Sequence, residues 1–256
     1  MAANNIRTIL GKKLYNSGAI WVSDLKDDRR QLLMNRYQVN VIDSNAVALN
    51  KGDIVVLAVK PQDLEVVIYD LKGKLRPSQL VISIIAGVKI ENLSKGLVHK
   101  SIVRVMPNTP ATVGLGMSVW TTSSDVTQSQ KELTASLLGA MGKELHVEDE
   151  MYIDMATAIS GSGPAYLFNF VEALVEAAIS IGFSHEVARQ LVIQTMVGSC
   201  IYLEQSGKDA SDLRRMVTSR GGTTEAALRK LNEADFNSLI LSAVKAAYHR
   251  AKELGH

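Results

Sequence analysis

Short apolar runs alternate with segments of helical periodicity in the first half of the chain, and this alternation restricts the fold more than any other feature. The runs are AIWV at residues 19–22, IVVLAV at 54–59, VISII at 81–85 and IVRV at 102–105. Most are continuous and rich in β-branched residues, which predicts strands buried on both faces, as in a parallel sheet. Helix-period segments lie between them. The pattern predicts a doubly wound α/β domain.

From about Met151 onward the strand signals stop. The periodicity predicts helices over residues 164–182, 184–206, 210–217, 224–232 and 236–254. Ser184 follows Gly182-Phe183 and is expected to cap the second of these helices. That helix has a wide apolar stripe and small residues at 198–200, which is typical of tight packing against another helix, in the same subunit or a second one.

Composition excludes several classes of protein. The chain has 256 residues, of which 46% are apolar and 21% charged, and a net charge of +2. This balance gives no reason to expect nucleic acid, and no apolar run approaches the roughly 20 residues of a membrane span. The first residues lack the apolar core of a secretion signal. A single cysteine excludes a disulfide framework. We expect a cytoplasmic protein.

Two proline-containing segments directly follow predicted strands. In AVKP (residues 58–61), Lys60 could contact a phosphate or be an ordinary solvated lysine at the end of a strand. In MPNTP (residues 106–110), two prolines fix the backbone around Asn108 and Thr109, which could serve a site or simply form a structural loop. Ligands of α/β sheets bind beyond the carboxyl ends of the strands, where both segments are expected.

Two further segments are predicted to begin helices. SGSGP (residues 160–164) would offer free N–H groups to an anion, or Ser162 would act as an ordinary cap. SRGGTT (residues 219–224) has glycines that permit close approach and N–H groups that could hold a carboxylate. The histidines show no metal-ligand spacing, so no metal site is expected. Cys200, in mid-helix, is expected to be a packed core thiol.

These segments, in this order, resemble pyrroline-5-carboxylate reductase. The resemblance rests on LAVKP (57–61), VISIIAGV (81–88), VRVMPNTP (103–110), AISGSGPAY (158–166), MVTSRGGTT (216–224) and AVKAAYHRAKELG (243–255). It implies a Rossmann-type parallel sheet domain at residues 1–150 and an all-helical substrate and dimerisation domain at residues 151–256. It covers essentially the whole chain.

The chain departs from the family pattern at two places. Arg220 replaces the proline of the usual SPGGTT loop, which adds a positive charge beside the expected carboxylate site. The family also opens with a strand and a Gly-rich turn that cradles the cofactor pyrophosphate. Here only Met1-Ala2 matches the end of that motif, so we expect the true start to lie upstream, with a crippled relative as the alternative.

The resemblance implies hydride transfer from NAD(P)H to 1-pyrroline-5-carboxylate, giving L-proline. A protonated cyclic imine is already electrophilic, so the protein needs mainly to position it. The implied substrate-binding residues are Ser219, Gly222, Thr223 and Thr224. Thr224 is expected to be catalytic, through a hydrogen bond to the ring nitrogen. A homodimer or higher homo-oligomer is expected, with no nucleic acid or membrane partner.

The same resemblance implies the cofactor site. Its residues would be Asp24, Lys26, Asn45, Ala58, Val59, Lys60, Pro61, Ile84, Ile85 and Ala86. Asp24 could bind ribose hydroxyls, as in NAD sites, whereas Lys26, Arg29 and Arg30 could meet a 2′-phosphate, which favours NADP. Two other functions stay open: a non-catalytic, dimerising relative that does not bind the cofactor productively, and a different imine or 2-hydroxy-acid reductase.

Overall fold

The structure, a computed structural model, describes residues 2–255 and divides into two compact units. The first unit contains the chain up to Pro164 and the residues from Ala246 onward, and the second spans Ala165–Lys245. The division at residues 150 and 151 that the resemblance implies stays a prediction, because a boundary of function need not coincide with a boundary of packing.

Two sheets organise the first unit. Its strands in the described residues are β1 (Trp21–Ser23), β2 (Asn40–Ile42), β3 (Ile54–Leu57), β4 (Leu80–Ser83), β5 (Ile102–Met106), β6 (Gly116–Thr122) and β7 (Gly142–His146). β1 pairs in parallel with β2, and the other strands form one sheet in the order β3-β4-β5-β6-β7. Neighbours in this sheet are parallel, except that β6 runs antiparallel to β5. A short 3₁₀ helix at Thr109–Val113 joins these two strands, too short for the crossover that a parallel pair needs.

Helices flank the sheets in the first unit and make up the second. Those that begin in the first unit are α1 (Ala2–Gly11), α2 (Asp27–Tyr37), α3 (Asn45–Leu49), α4 (Leu64–Leu71), α5 (Ile90–Leu97), α6 (Gln128–Gly139), α7 (Met151–Ala156) and α8 (Gly163–Ser180). The rest are α9 (His185–Ser206), α10 (Ala210–Met216), α11 (Thr223–Glu233) and α12 (Phe236–Leu254). The residues of α12 from Ala246 onward belong to the first unit.

The core of the first unit lies on both faces of the larger sheet. Every residue of β4 is buried, and its side chains alternate between the faces, as the pleat requires. Val81 packs in one apolar cluster with residues of α4 and α5, whereas Leu80 and Ile82 pack in another with residues of α6. Helices therefore cover both faces, and the doubly wound domain predicted from the sequence is confirmed.

Strand β3 departs from the prediction of burial on both faces. Val56 is 51% exposed, although its neighbour Leu57 is only 4% exposed. In the described residues, β3 is hydrogen-bonded to β4 alone, and β1 to β2 alone, so each is an edge strand. Met1, which the resemblance matches to the family's Gly-rich turn, lies outside the described residues.

Local sequence sets several helix boundaries. The Thr127 hydroxyl accepts from the Gln130 N–H and the Gln130 side chain accepts from the Thr127 N–H, a reciprocal capping box at the start of α6. Ser184 accepts from the Val187 N–H and caps α9, as predicted. Asp27 begins α2 with an acidic first turn, which the helix dipole favours.

The helices of the second unit leave much apolar surface uncovered. Phe168 is 59% exposed, Leu191 48% and Leu239 64%, and only Ala188 and Val192 are buried in α9. Cys200 is exposed as well, so its prediction as a packed core thiol is wrong. The helix periodicity of this half was predicted correctly, but periodicity does not show which apolar side of a helix is covered within one chain.

Candidate active site

The turns that follow β3, β4 and β5 lie at one edge of the larger sheet. These three strands are mutually parallel, so their carboxyl ends meet at the same edge. The turns are residues 58–61, 84–87 and 107–110. Sequence reasoning had singled out all three, and the sheet topology brings them together in an order that the sequence alone does not give.

The turn after β3 presents a charged side chain to solvent. Lys60 has extended backbone, and Pro61 opens a 3₁₀ helix at Pro61–Asp63 that precedes α4. The Asp63 N–H donates to the Lys60 carbonyl at 3.0 Å, which closes the turn. Ala58, Lys60 and Pro61 are exposed, while Val59 packs partly against the core. The backbone is therefore fixed and the lysine ammonium is available to an anion.

The turn after β4 is held from both sides. The Ile84 N–H donates to Leu57 O at 3.1 Å, and the Ile85 N–H donates to the Ser83 hydroxyl at 3.4 Å. Ile85 is buried, but Ala86 is exposed at the edge. Gly87 has φ +77°, and a Cβ placed there would lie 2.7 Å from the Leu254 carbonyl oxygen. The end of α12 therefore packs directly on this turn.

A second group of candidate residues follows β1. The Lys26 N–H donates to the Asp24 carboxylate at 3.0 Å, a local turn that uses one oxygen of Asp24. Arg30 donates to the Asp24 and Leu25 carbonyls at 2.7 and 3.1 Å and pairs with Asp27 at 2.9 Å. Arg30 therefore holds this turn, and its contact with a 2′-phosphate stays a prediction. Lys26 and Arg29 are exposed, and no ion pair in the described part of the chain involves either of them.

Two neighbours of this turn complete the polar surface. Asn45 lies in the first turn of α3, after the Ser44 cap, and its amide donates to Asp70 at 3.0 Å. Since that bond uses the amide nitrogen, the side-chain carbonyl remains available. The Ser23 hydroxyl is buried without a hydrogen-bond partner in the described residues. A buried polar atom without a partner beside Asp24 fits a site that accepts a polar ligand.

The expected substrate loop lies in the second unit. Gly221 has φ +73°, and its N–H donates to the Glu225 carboxylate at 2.8 Å. Gly222 caps α11 with extended backbone, and its N–H donates to Ser219 O at 3.0 Å. A Cβ at Gly222 would lie 2.5 Å from the Ser219 hydroxyl oxygen, so the backbone at Gly222 packs closely against that side chain.

The first turn of α11 supplies hydrogen-bond donors. Thr223 and Thr224 are its first residues, and their N–H groups have no acceptor within the helix. Thr224 is half-buried and Arg220 is exposed. Amide donors, two hydroxyls and a cation at a helix start can hold a small carboxylate.

Comparison with known proteins shows the family of this chain. The model of the pyrroline-5-carboxylate reductase dimerisation domain matches residues 150–254, and that of coenzyme F420-dependent NADP oxidoreductases matches residues 2–87. Pyrroline-5-carboxylate reductase of Synechocystis is 37% identical over 256 residues, which cover 100% of this chain and 95% of the relative. The chain belongs to the pyrroline-5-carboxylate reductase family.

Solved structures agree with this family assignment. The pyrroline-5-carboxylate reductase of Coxiella burnetii is 35% identical, with a TM-score of 0.91 over 100% of this chain and 95% of that one. The pyrroline carboxylate reductase of Plasmodium falciparum, with NADP bound, is 30% identical, with a TM-score of 0.89 over 100% and 94% of the two chains. The family resemblance and the fold class predicted from the sequence are confirmed.

One segment of this reductase-family chain differs from its prediction. Residues 160–164 do not begin a helix with free N–H groups, because a π-helix at Thr157–Gly161 joins α7 to α8 almost without a break. The Ser162 N–H donates to Thr157 O at 2.8 Å and is not available to an anion. No hydrogen bond among the described residues has the Ser162 side chain capping a helix.

Sequence reasoning missed the buried ion cluster of Arg104, Glu150 and Asp154. Arg104 is 2% exposed and donates to Glu150 at 2.9 Å and to Asp154 at 2.7 Å. A signal was present, since an arginine inside the apolar run IVRV needs a buried partner. Its acids lie about 50 positions further along the chain and only the fold could identify them.

No group of three or more His, Cys, Asp or Glu side chains lies close enough together in the described part of the chain to hold a metal ion. No helix in it is both long enough and apolar enough to span a membrane.

Proposed function

We propose that this chain reduces 1-pyrroline-5-carboxylate to L-proline with NADPH. The observation that carries the proposal is the 37% identity to a pyrroline-5-carboxylate reductase along the whole chain. The geometry supports it, because one unit offers an exposed sheet edge with free cations and the other offers an amide-rich helix start. The two arrangements suit a dinucleotide and a small acid, respectively.

The first unit would hold the cofactor. When bound, NADPH supplies the hydride. Asp24 shapes the turn after β1, and Lys26 and Arg29 would meet a 2′-phosphate, which no acidic partner prevents in the described residues. Asn45, the turn at residues 58–61 and the turn at residues 84–86 would contact the rest of the dinucleotide. Two free cations beside one turn-bound carboxylate favour NADP over NAD.

The second unit would hold the substrate. The N–H groups at the start of α11, with the Ser219 and Thr223 hydroxyls, would bind the carboxylate of the ring. The Thr224 hydroxyl would hydrogen-bond the ring nitrogen and orient the C=N bond. The C=N carbon gains a hydride and the nitrogen keeps its proton as a secondary amine, so no side chain needs to supply a strong acid.

A homodimer is part of the proposal. The dimerisation-domain model matches residues 150–254, and the second unit exposes large apolar side chains, such as Phe168 and Leu239. Burial of such a surface against a second copy would stabilise both chains at about 25 cal/mol for each Å² removed from water. Light scattering coupled to gel filtration tests this, and a monomeric mass at micromolar concentration would overturn it.

The activity is tested by NADPH oxidation with and without 1-pyrroline-5-carboxylate. The purified chain should oxidise NADPH only when the substrate is present. Thr224→Ala should lower kcat/KM about 30-fold, because a hydrogen bond to a charged group contributes about 2 kcal/mol. Oxidation that does not depend on the substrate would contradict the proposal.

Thr127→Ala is the matched control for Thr224→Ala. It removes a hydroxyl from another helix start, the capping box of α6, and should lower the free energy of unfolding by about 1 kcal/mol with kcat/KM unchanged. A Thr224→Ala variant that behaves in the same way would remove Thr224 from the mechanism. We keep the cytoplasmic location as part of the proposal, and subcellular fractionation tests it.

A further inference from the structure

Two motifs that the proposed function leaves unassigned meet in the first unit. One is the MPNTP segment after β5, and the other is the SGSGP segment that contains the end of the π-helix. The Asn108 amide nitrogen donates to the Ser160 carbonyl at 3.1 Å, across 52 residues of chain. This bond has a specific chemical cause.

The carbonyl of Ser160 lacks its ordinary helical partner. In an α-helix it would accept from the N–H four residues later, but that residue is Pro164, which has no N–H. A half-buried carbonyl without a donor would be unfavourable. The Asn108 side chain supplies a donor from another part of the fold to a carbonyl to which Pro164 cannot donate.

The other end of the Asn108 side chain is also used. Its carbonyl oxygen accepts from the Met117 N–H at 2.8 Å, near the start of β6. Asparagine alone among side chains of its size offers a donor and an acceptor in one plane. Asn108 therefore ties the turn after β5 to the π-helix and to β6 at the same time.

A close packing contact reinforces this link. A Cβ placed at Gly161 would lie 2.6 Å from the Met106 methyl carbon, so the last residue of β5 packs against the backbone of the π-helix. Two independent contacts thus hold the turn at residues 107–110 in one position. That turn lies at the sheet edge beside residues 84–87, because β5 pairs in parallel with β4.

We propose that Asn108 is a positioning residue for hydride transfer. This proposal rests on the proposed function. Lys26 and Arg29, after β1, would bind the 2′-phosphate end of the cofactor. The turns after β4 and β5 would then contact its nicotinamide end. Asn108 acts by fixing the turn that carries the exposed Thr109. A π-helix at this place agrees with a functional site, where such segments are frequent.

The test separates cofactor binding from the chemical step. Asn108→Ala should lower the single-turnover rate constant at saturating NADPH and substrate by about 10-fold, because hydride transfer is sensitive to small displacements. The Kd for NADPH should change by less than about 3-fold, since the contacts at the phosphate end stay intact. This rate constant does not depend on the fraction of folded enzyme, so mere destabilisation would leave it unchanged.

Pro164→Ala provides a rescue that a general structural role would not. It restores an N–H that can donate to Ser160 O. The loss in the rate constant caused by Asn108→Ala should therefore be about 3-fold smaller in the Pro164→Ala background than in the wild type. Asn108→Asp is measured alongside, because it keeps the acceptor for Met117 and replaces the donor to Ser160 with a carboxylate oxygen. Asn50→Ala removes an exposed carboxamide from the residue after α3 and should leave the rate constant unchanged.

The outcomes are distinguishable. A wild-type chain without substrate-dependent oxidation overturns the proposed function and this inference with it. An active wild type whose Asn108→Ala and Asn108→Asp variants keep its rate constant overturns the inference alone. Equal losses in the wild-type and Pro164→Ala backgrounds also overturn it, because the bond to Ser160 would then not be the one that matters.

Discussion

The guanidinium of Arg104 donates to the Asp154 carboxylate at 2.7 Å, and the two residues are only 2% and 7% exposed. The same guanidinium donates to Glu150 at 2.9 Å, and Glu150 also accepts from the Ile90 N–H at 2.9 Å. One side chain in β5 therefore holds the start of α7, and through Glu150 the start of α5. In the described residues Arg104 is the cation that pairs with both acids, which makes the cluster sensitive to its loss.

Replacement of this cation should be strongly destabilising. Arg104→Met leaves the carboxylate of Asp154 buried without its cation, so the free energy of unfolding should fall by about 3–5 kcal/mol. Urea unfolding measures this. The exposed pair of Arg76 and Asp53 is the control, and Asp53→Ala should cost less than about 1 kcal/mol. A similarly small loss of free energy of unfolding in both variants would contradict the stabilising role of Arg104.

Gly87 should tolerate no side chain, for two reasons. Gly87→Ala puts a Cβ 2.7 Å from Leu254 O at a residue with φ +77°, so it should lower the free energy of unfolding by about 3 kcal/mol. Gly73→Ala matches the backbone, with φ +69° and open space around the new Cβ, and should cost only about 1 kcal/mol. Equal losses would show that strain alone matters and that α12 does not press on this turn.

Lys26 should discriminate between the two nicotinamide cofactors. Lys26→Ala removes a free cation from the turn after β1, so the KM for NADPH should rise about 10-fold while that for NADH changes less than about 2-fold. Steady-state kinetics with each cofactor measure this difference. Lys74→Ala, at another exposed lysine of the same unit, should alter neither value. Equal effects on both cofactors would mean that Lys26 does not contact a 2′-phosphate.

Arg220 should assist capture of the substrate carboxylate. Arg220→Ala should raise the KM for 1-pyrroline-5-carboxylate about 5-fold with kcat unchanged, because an exposed charge contributes modestly and equally before and during reaction. Arg220→Lys should restore most of the affinity. Arg214→Ala removes an exposed arginine from neighbouring α10 and serves as the control. A KM that does not respond to Arg220→Ala would exclude a role for this charge.

Elements with a strong period were the ones that the sequence predicted well. The helix predicted over residues 236–254 has those bounds, and β5 at Ile102–Met106 extends its prediction by one residue. Strands β2, β6 and β7 were missed, because none is a continuous apolar run. β6 reads GMSVWTT, in which Ser118 and Thr121 are buried although they are polar, so the strand has no continuous apolar run.

Among the candidate cofactor residues too, some features could be predicted from the sequence and others could not. The turns at residues 58–61 and 84–86 were found because they directly follow apolar strands and match family motifs. The sequence shows that Arg30 is near a turn, but not that its guanidinium is already bound to the Asp24 carbonyl. Hydrogen bonds between distant residues have no period and leave no local signal.

The sequence by itself determined the class of this protein, because continuous apolar strands, helical stripes and motifs after strand ends are local properties that survive without coordinates. The tertiary structure alone decided which distant groups meet. It gave Arg104 its two acids, placed Leu254 on Gly87, and brought the Asn108 amide to the Ser160 carbonyl, to which Pro164 cannot donate. Such pairs depend on packing in three dimensions, where separation along the chain carries no information about distance.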